Sequence, residues 1–213
     1  MTSGKKTDDE YIKTLEELTA IWSFLHNLFR FPDNDQWQWL CDPRVKQAWT
    51  ILRAFVSAEI PNDMPLPESF EVYEQEYIAA FEVGTPEPPC PLIESHWNKC
   101  NAVPKILHEN ILFYRQFGLM LRSGANETAD HLRHQLEFNH YLCRMELEAY
   151  NNKQSGEILD GIRRGRKDFL DRHMNSWIPR ATQEYGSKYP GSWPAAWMTI
   201  LAACCTAQIV ISE

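Results

Sequence analysis

Apolar side chains recur along this chain with the repeat of a helix almost throughout. Leu15, Leu18, Trp22, Leu25 and Phe29 fall three and four residues apart, which predicts one amphipathic helix that Pro32 terminates. Val45, Trp49, Leu52 and Val56 repeat the pattern behind Asp42-Pro43, an N-cap residue followed by a first-turn proline, and this helix is expected to end near Pro61. Pro61, Pro65 and Pro67 make 60–67 a connecting loop, since each proline removes a backbone donor. Phe70, Tyr73, Tyr77, Ile78 and Phe81 predict a short helix that Gly84 and Pro86 stop. The stretch from Thr85 to Pro91 carries four prolines and cannot form regular structure, and loops of this kind on a helical scaffold are common places for recognition.

Beyond it the helical period returns. Ile106, Leu107, Ile111, Tyr114 and Leu121 follow a first-turn Pro104, and Ser123-Gly124-Ala125-Asn126 breaks the run. A long helix is expected from about Thr128 to Tyr150 with Leu132, Leu136, Leu142 and Leu147 inward, and another from about Glu157 through Ile162 and Phe169 to Trp177. Gly156, Gly186, Gly191 and Pro190 are expected to punctuate the remainder. The uncharged stretch Pro194 to Ile211 is short for a bilayer span and is interrupted by Thr199, Thr206 and Gln208, so it reads as a buried terminal helix. No alternating strand pattern, internal repeat or linker is visible. The expectation is an all-α, single-domain helical bundle over residues 1–213.

Charge narrows the partners. The formal net charge of −8 disfavours nucleic acid and anionic membrane, and suits a basic partner. Glu68, Glu71, Glu74, Glu76, Glu82, Glu87 and Glu94 occur with no Lys or Arg among them. They read either as a solvated acidic helix or as an acidic rim beside exposed aromatics (Tyr73, Tyr77, Phe81, Trp97) that suits a basic, apolar peptide. The six cysteines form no C-x-x-C pair, and the basic amino terminus has no apolar run behind it, so reduced thiols in a cytoplasmic protein are expected.

Enzymatic signatures are scarce. The chain has no Walker loop, G-x-G-x-x-G, H-E-x-x-H or G-x-S-x-G. Glu137-Phe-Asn-His140 matches half of a di-iron bundle motif and has no second copy, which leaves a metal-dependent oxidoreductase using Glu137, His140 and His131 as an alternative. His131 with His134, and Cys90 with His96 and Cys100, lack recognised ligand spacing. Arg163 to Lys167 reads as a solvated basic face.

Three stretches in order resemble the TorD/DmsD/NarJ family of molybdoenzyme maturation chaperones. Tyr77-Ile-Ala-Ala-Phe-Glu-Val-Gly84 leads through Pro91 to Glu94-Ser95-His96-Trp97, Asp130-His131-Leu132 precedes Leu136-Glu137-Phe138, and Phe169-x-x-x-His173-Met-x-x-Trp177-x-Pro179 follows. Ala129 and Asn139 depart from residues that many members carry there. The wording of the first stretch looks closest to the branch serving type II enzymes of the dimethylsulfoxide reductase family. The resemblance implies an all-helical fold, no catalysis and no cofactor on the chaperone itself. It implies as partner the apo catalytic subunit that will carry a molybdopterin guanine dinucleotide cofactor, often bound through its twin-arginine signal peptide, with the chaperone a monomer or homodimer, cytoplasmic and not inserted in membrane. A permanent structural subunit of a redox complex remains an alternative. The binding candidates are Tyr77, Phe81, Gly84, Pro91, Glu94, Ser95, His96, Trp97, Asp130, His131 and Glu137, with residues 85–97 as the recognition loop. An unperturbed His131 would titrate near neutrality, which makes pH-linked client release a further expectation.

Overall fold

The computed structural model describes residues 8–56, 60–98, 102–122 and 127–211, with side chains to 207. The helices in chain order are α1 (Asp8–Leu28), α2 (Asn34–Cys41), α3 (Pro43–Phe55), α4 (Phe70–Tyr77), α5 (Glu94–Trp97), α6 (Val103–Gln116), α7 (Leu132–Asn151), α8 (Gly156–Phe169), α9 (Ile178–Lys188) and α10 (Trp193–Ile211). Two π-helical turns, Ile78–Glu82 and Leu170–Met174, continue α4 and α8. Among the described residues there is no strand, only a single antiparallel bridge between Ile93 and His131. The all-α bundle is therefore as expected.

The stripe on α1 buries Leu15, Leu18, Trp22 and Leu25 against α7, the longest contact in the bundle. α8 also packs on α7, and α10 packs on α9. α10 buries Trp197, Met198, Ile200, Leu201, Cys204 and Cys205, and no described helix is long and apolar enough to cross a membrane. One apolar cluster runs from Leu18 to Cys205. Each large side chain in it contributes about 1.5–3 kcal/mol over remaining in water.

Differences from expectation have local causes. α2 carried no periodic signal because its eight residues bury only Gln36 and Leu40; the Asp33 carboxylate starts it by accepting from the Gln36 N–H (2.6 Å). α3 ends at Phe55 rather than near Pro61, and the carbonyls of Ile60 and Pro61 are taken by Arg53 Nε and Trp49 Nε1, both at 3.1 Å. α6 stops at Gln116, short of Leu121, and the break expected at 123–126 lies outside the described residues, as do the amino-terminal heptad and Cys100. α7 starts at Leu132 and not Thr128, because 128–131 pairs with another segment. Regular helix in α8 ends at Phe169, eight residues before Trp177. Gly186 lies inside α9 and punctuates nothing.

The basic run on α8 is a solvated face only in part: Arg164 is exposed, but two of its neighbours turn to a buried carboxylate. Arg166 is 4 % exposed and donates to Glu146 Oε2 at 3.1 Å, while Arg163 Nε donates to Glu146 Oε1 at 2.8 Å and its guanidinium lies 4.6 Å over the Tyr11 ring. The Tyr11 hydroxyl also donates to Glu146, so this fully buried carboxylate ties α1, α7 and α8 together. Replacing it strands a buried guanidinium, which costs about 3–5 kcal/mol. Glu146→Ala is expected to lower the midpoint of thermal unfolding by roughly 10 °C, read by circular dichroism.

Candidate functional site

The helix begun by α4 changes pitch just where the Pro-rich loop must leave it. Through the π turn the Val83 N–H donates to the Ile78 carbonyl at 2.9 Å, and the Cys90 N–H returns to the Ala80 carbonyl, also at 2.9 Å. The loop folds back so tightly at Gly84 that an added Cβ would sit 2.1 Å from the Glu87 carbonyl oxygen; only glycine fits. Trp97 Nε1 donates to the Pro91 carbonyl at 2.8 Å and pins the far end.

The segment before α7 secures the rest of the loop. The Leu132 N–H donates to the Leu92 carbonyl (2.8 Å) and the Glu94 N–H to the Asp130 carbonyl (3.1 Å). Asp130 Oδ2 accepts from the Ser95 N–H at 2.9 Å and Oδ1 from the Thr128 hydroxyl at 2.6 Å. Asp130 therefore serves the first turn of α5 and not its own helix. His131 takes that role, its Nδ1 accepting from the Arg133 N–H at 3.2 Å.

Glu94 points inward and is 1 % exposed. Its carboxylate accepts from Asn110 Nδ2 (3.0 Å) on α6 and Gln135 Nε2 (2.7 Å) on α7, and His173 Nδ1 on the second π turn lies 3.1 Å from both oxygens. Set against two carboxylate oxygens, Nδ1 is the donor and carries the hydrogen. Gln135 Oε1 accepts from Trp177 Nε1 at 3.2 Å, and the Tyr114 hydroxyl donates to the Ala129 carbonyl at 2.8 Å. All three sequence stretches that carry the resemblance thus meet in one buried polar network.

On the outer side of the loop lies a groove of 740 Å³ lined by Phe31, Tyr77, Phe81, Glu82, Glu87, Pro88, Pro91, Leu92, Ile93, His96, Glu127, Thr128, His131 and Arg133. Phe31 stands 47 % exposed, edge-on to Tyr77 at 6.0 Å. Arg133 pairs with Glu127 at 2.5 Å, and His96 with Glu87 at 3.1 Å. Desolvation on the groove wall, and then the Glu127 carboxylate, push the Glu82 carboxyl above the usual carboxylate range. The arrangement is an apolar floor with a predominantly acidic margin.

Of the residues picked from sequence, Tyr77, Phe81, Pro91, His96 and His131 line this groove. Gly84, Glu94, Ser95, Trp97 and Asp130 build it from behind, and Glu137 is exposed on α7 away from it. The expectation of exposed aromatics is corrected: Tyr73, Tyr77, Phe81 and Trp97 are 0, 1, 3 and 6 % exposed. They shape the groove, and the Tyr77 hydroxyl is spent on the Phe29 carbonyl at 3.0 Å. Sequence reasoning missed Phe31, Glu127 and Arg133, which lie just outside the motifs; a Phe before Pro32, off the apolar stripe that ends at Phe29, was the available signal. Burial holds the His131 pKa down at about 4, so the ring stays neutral across the physiological range and pH-linked release through it is withdrawn. For the metal alternative, His140 Nδ1 lies 3.1 Å from the Thr19 carbonyl, and no three His, Cys, Asp or Glu side chains converge as a ligand set among the described residues.

An all-helical scaffold thus holds a proline loop, hydrogen-bonded at both ends, beside a groove with aromatic walls and carboxylates at its margin. The family model described as nitrate reductase delta subunit matches residues 41–183, and the chain belongs to that family, the NarJ/TorD type. It is 30 % identical over 193 residues to the perchlorate reductase assembly chaperone protein of Dechloromonas aromatica, covering 85 % of this chain and 84 % of that one. It is also 30 % identical to the selenate reductase assembly chaperone protein of Thauera selenatis (84 % of each chain) and 28 % identical to the chlorate reductase assembly chaperone protein of Ideonella dechloratans (71 % and 68 %).

Removing the Glu94 carboxylate leaves three buried donors unmatched, at about 1–3 kcal/mol each before relaxation. Glu94→Ala is expected to lose several kcal/mol in urea titration, and Glu94→Gln, which keeps an acceptor, clearly less. For His131 the folded pKa lies below the ordinary 6.5, so the unfolded chain takes up the proton first as pH falls. Its contribution is present above pH 6.5 and is lost on the way down to about 4, on the order of 3 kcal/mol. His131→Asn, which keeps a capping acceptor, should flatten that part of the stability profile, and an unchanged profile would contradict the assignment.

Proposed function

We propose that this chain is a dedicated, non-catalytic maturation chaperone of a molybdenum oxidoreductase. It binds the apo catalytic subunit in the cytoplasm, before molybdopterin guanine dinucleotide is inserted, and takes hold of the subunit's twin-arginine signal peptide in the groove beside residues 85–97. The whole chain is read as one chaperone domain. The observation that carries the reading is the groove itself: Phe31, Tyr77 and Phe81 for an apolar stretch, with Glu82, Glu87 and Glu127 at its margin for cationic side chains. Perchlorate, selenate and chlorate reductases, named for the relatives, support an oxyanion reductase as the client class.

The division of labour follows from magnitudes. An exposed ion pair adds about 0–1 kcal/mol, whereas covering a large apolar side chain adds about 1.5–3 kcal/mol. Affinity comes from the apolar floor, and the carboxylates set on-rate and register. Tyr77 and Phe81 are poor probes of this because they are core residues. Phe31 is exposed and reports on binding alone.

The family description speaks of a subunit, which keeps a permanent structural role as the second reading. Tagged protein recovered from the cytoplasm is expected to bring down a catalytic subunit lacking molybdenum; recovery of the loaded enzyme would favour the permanent subunit, and recovery of neither would overturn both. With the captured subunit's leader peptide, Phe31→Ala is expected to weaken binding about ten-fold and Glu82→Gln or Glu87→Gln no more than about three-fold each.

A further inference from the structure

A second groove of 530 Å³ lies on the opposite side of the same wall. Groove one takes Tyr77, Phe81, Pro88 and Pro91 from the π turn and the proline loop, and this one takes Glu76, Ala79, Ala80 and Pro89. Its far side is aromatic. Tyr185 and Tyr189 lie ring to ring at 4.8 Å and 31°, and Tyr189 is 42 % exposed. Trp193 closes the end, its indole Nε1 donating to Glu76 Oε2. That bond fixes one carboxylate oxygen against the aromatic wall and leaves the other oxygen without a hydrogen-bond partner among the described residues.

No Lys, Arg or His is among the described residues lining this groove, and none of residues 54–95 is Lys, Arg or His. Glu68, Glu71 and Glu76 are exposed on or beside α4. Aromatic faces beside a carboxylate attract an organic cation twice, through the ring quadrupole and through charge. We infer that the Tyr185–Tyr189–Trp193 groove is a second docking site, which receives a guanidinium-bearing, otherwise apolar segment of the client. The inference rests on the chaperone reading for the identity of the partner but not for the chemistry of the site. A client segment held in both grooves straddles the proline loop, so the rigidity of that loop serves two contacts at once.

The test uses the full chain and the peptide acetyl-Leu-Arg-Leu-Arg-Leu-Leu-amide, with a citrulline-for-arginine version of the same shape and no charge. The arginine peptide is expected to move the Trp193 indole N–H resonance and to bind about five-fold tighter than the citrulline peptide. Tyr189→Ala, at an exposed position, and Glu76→Gln, which keeps an acceptor for the indole, are each expected to abolish the arginine-specific shift of the Trp193 resonance with unchanged thermal unfolding. A stationary Trp193 resonance, or equal binding of the two peptides, overturns the inference. Its fate is separable from that of the client reading. If tagged wild-type protein captures no molybdoenzyme subunit while the Trp193 response persists, the groove stands and the client falls; capture without the response sinks the groove alone.

Discussion

Taking a carboxylate out of water costs several kcal/mol unless donors replace the lost hydration, and Glu94 meets that condition only through residues far away in sequence. Asn110 comes from α6, Gln135 from α7 and His173 from the turn beyond α8. None of the three helices can shift without unpairing a buried polar group. Because Glu94 opens α5, the same constraint fixes the following residues: Ser95 N–H meets Asp130, His96 reaches the groove and Trp97 holds the Pro91 carbonyl. The shape of the groove beside the proline loop is thus set from inside the protein.

The two π turns are part of that constraint. Each admits one more residue per turn than an α-helix, which rotates everything after it by about 100°. After α4 the change sends Phe81 under the groove and releases the chain into the proline loop, with Cys90 N–H bonded back to Ala80. After α8 it places His173 against Glu94 and Met174 against the Asn139 amide. Asn139, a departure from the family pattern, is accommodated by donating to the Gln135 carbonyl at 2.9 Å.

The aromatic richness of the chain divides by role. Most of these rings lie in the core, where edge-to-face contacts such as Tyr77–Phe81 at 5.0 Å make a stiff wall. A few stand at its surfaces: Phe31 on one side, Tyr189 on the other. Were the proposed leader peptide bound there, a wall already packed would leave the ordering cost to the ligand alone.

Helical period and stop signals determined the α class, the helices α1, α4, α7 and α10 to within a few residues, the starts but not the ends of α3 and α8, and the proline loop between them. The order of the three motifs identified the family, and the run of glutamates marked the acidic face. These features are local, so near neighbours in sequence suffice to specify them. What the sequence left open depended on distant partners. Asp130, legible as an N-cap, caps a different helix; Arg163 and Arg166, legible as a solvated run, neutralise Glu146; Glu94, legible as a rim charge, is the centre of the core network. A side chain's type states what it can bond, and only tertiary packing decides whether it faces water or the groups that replace water.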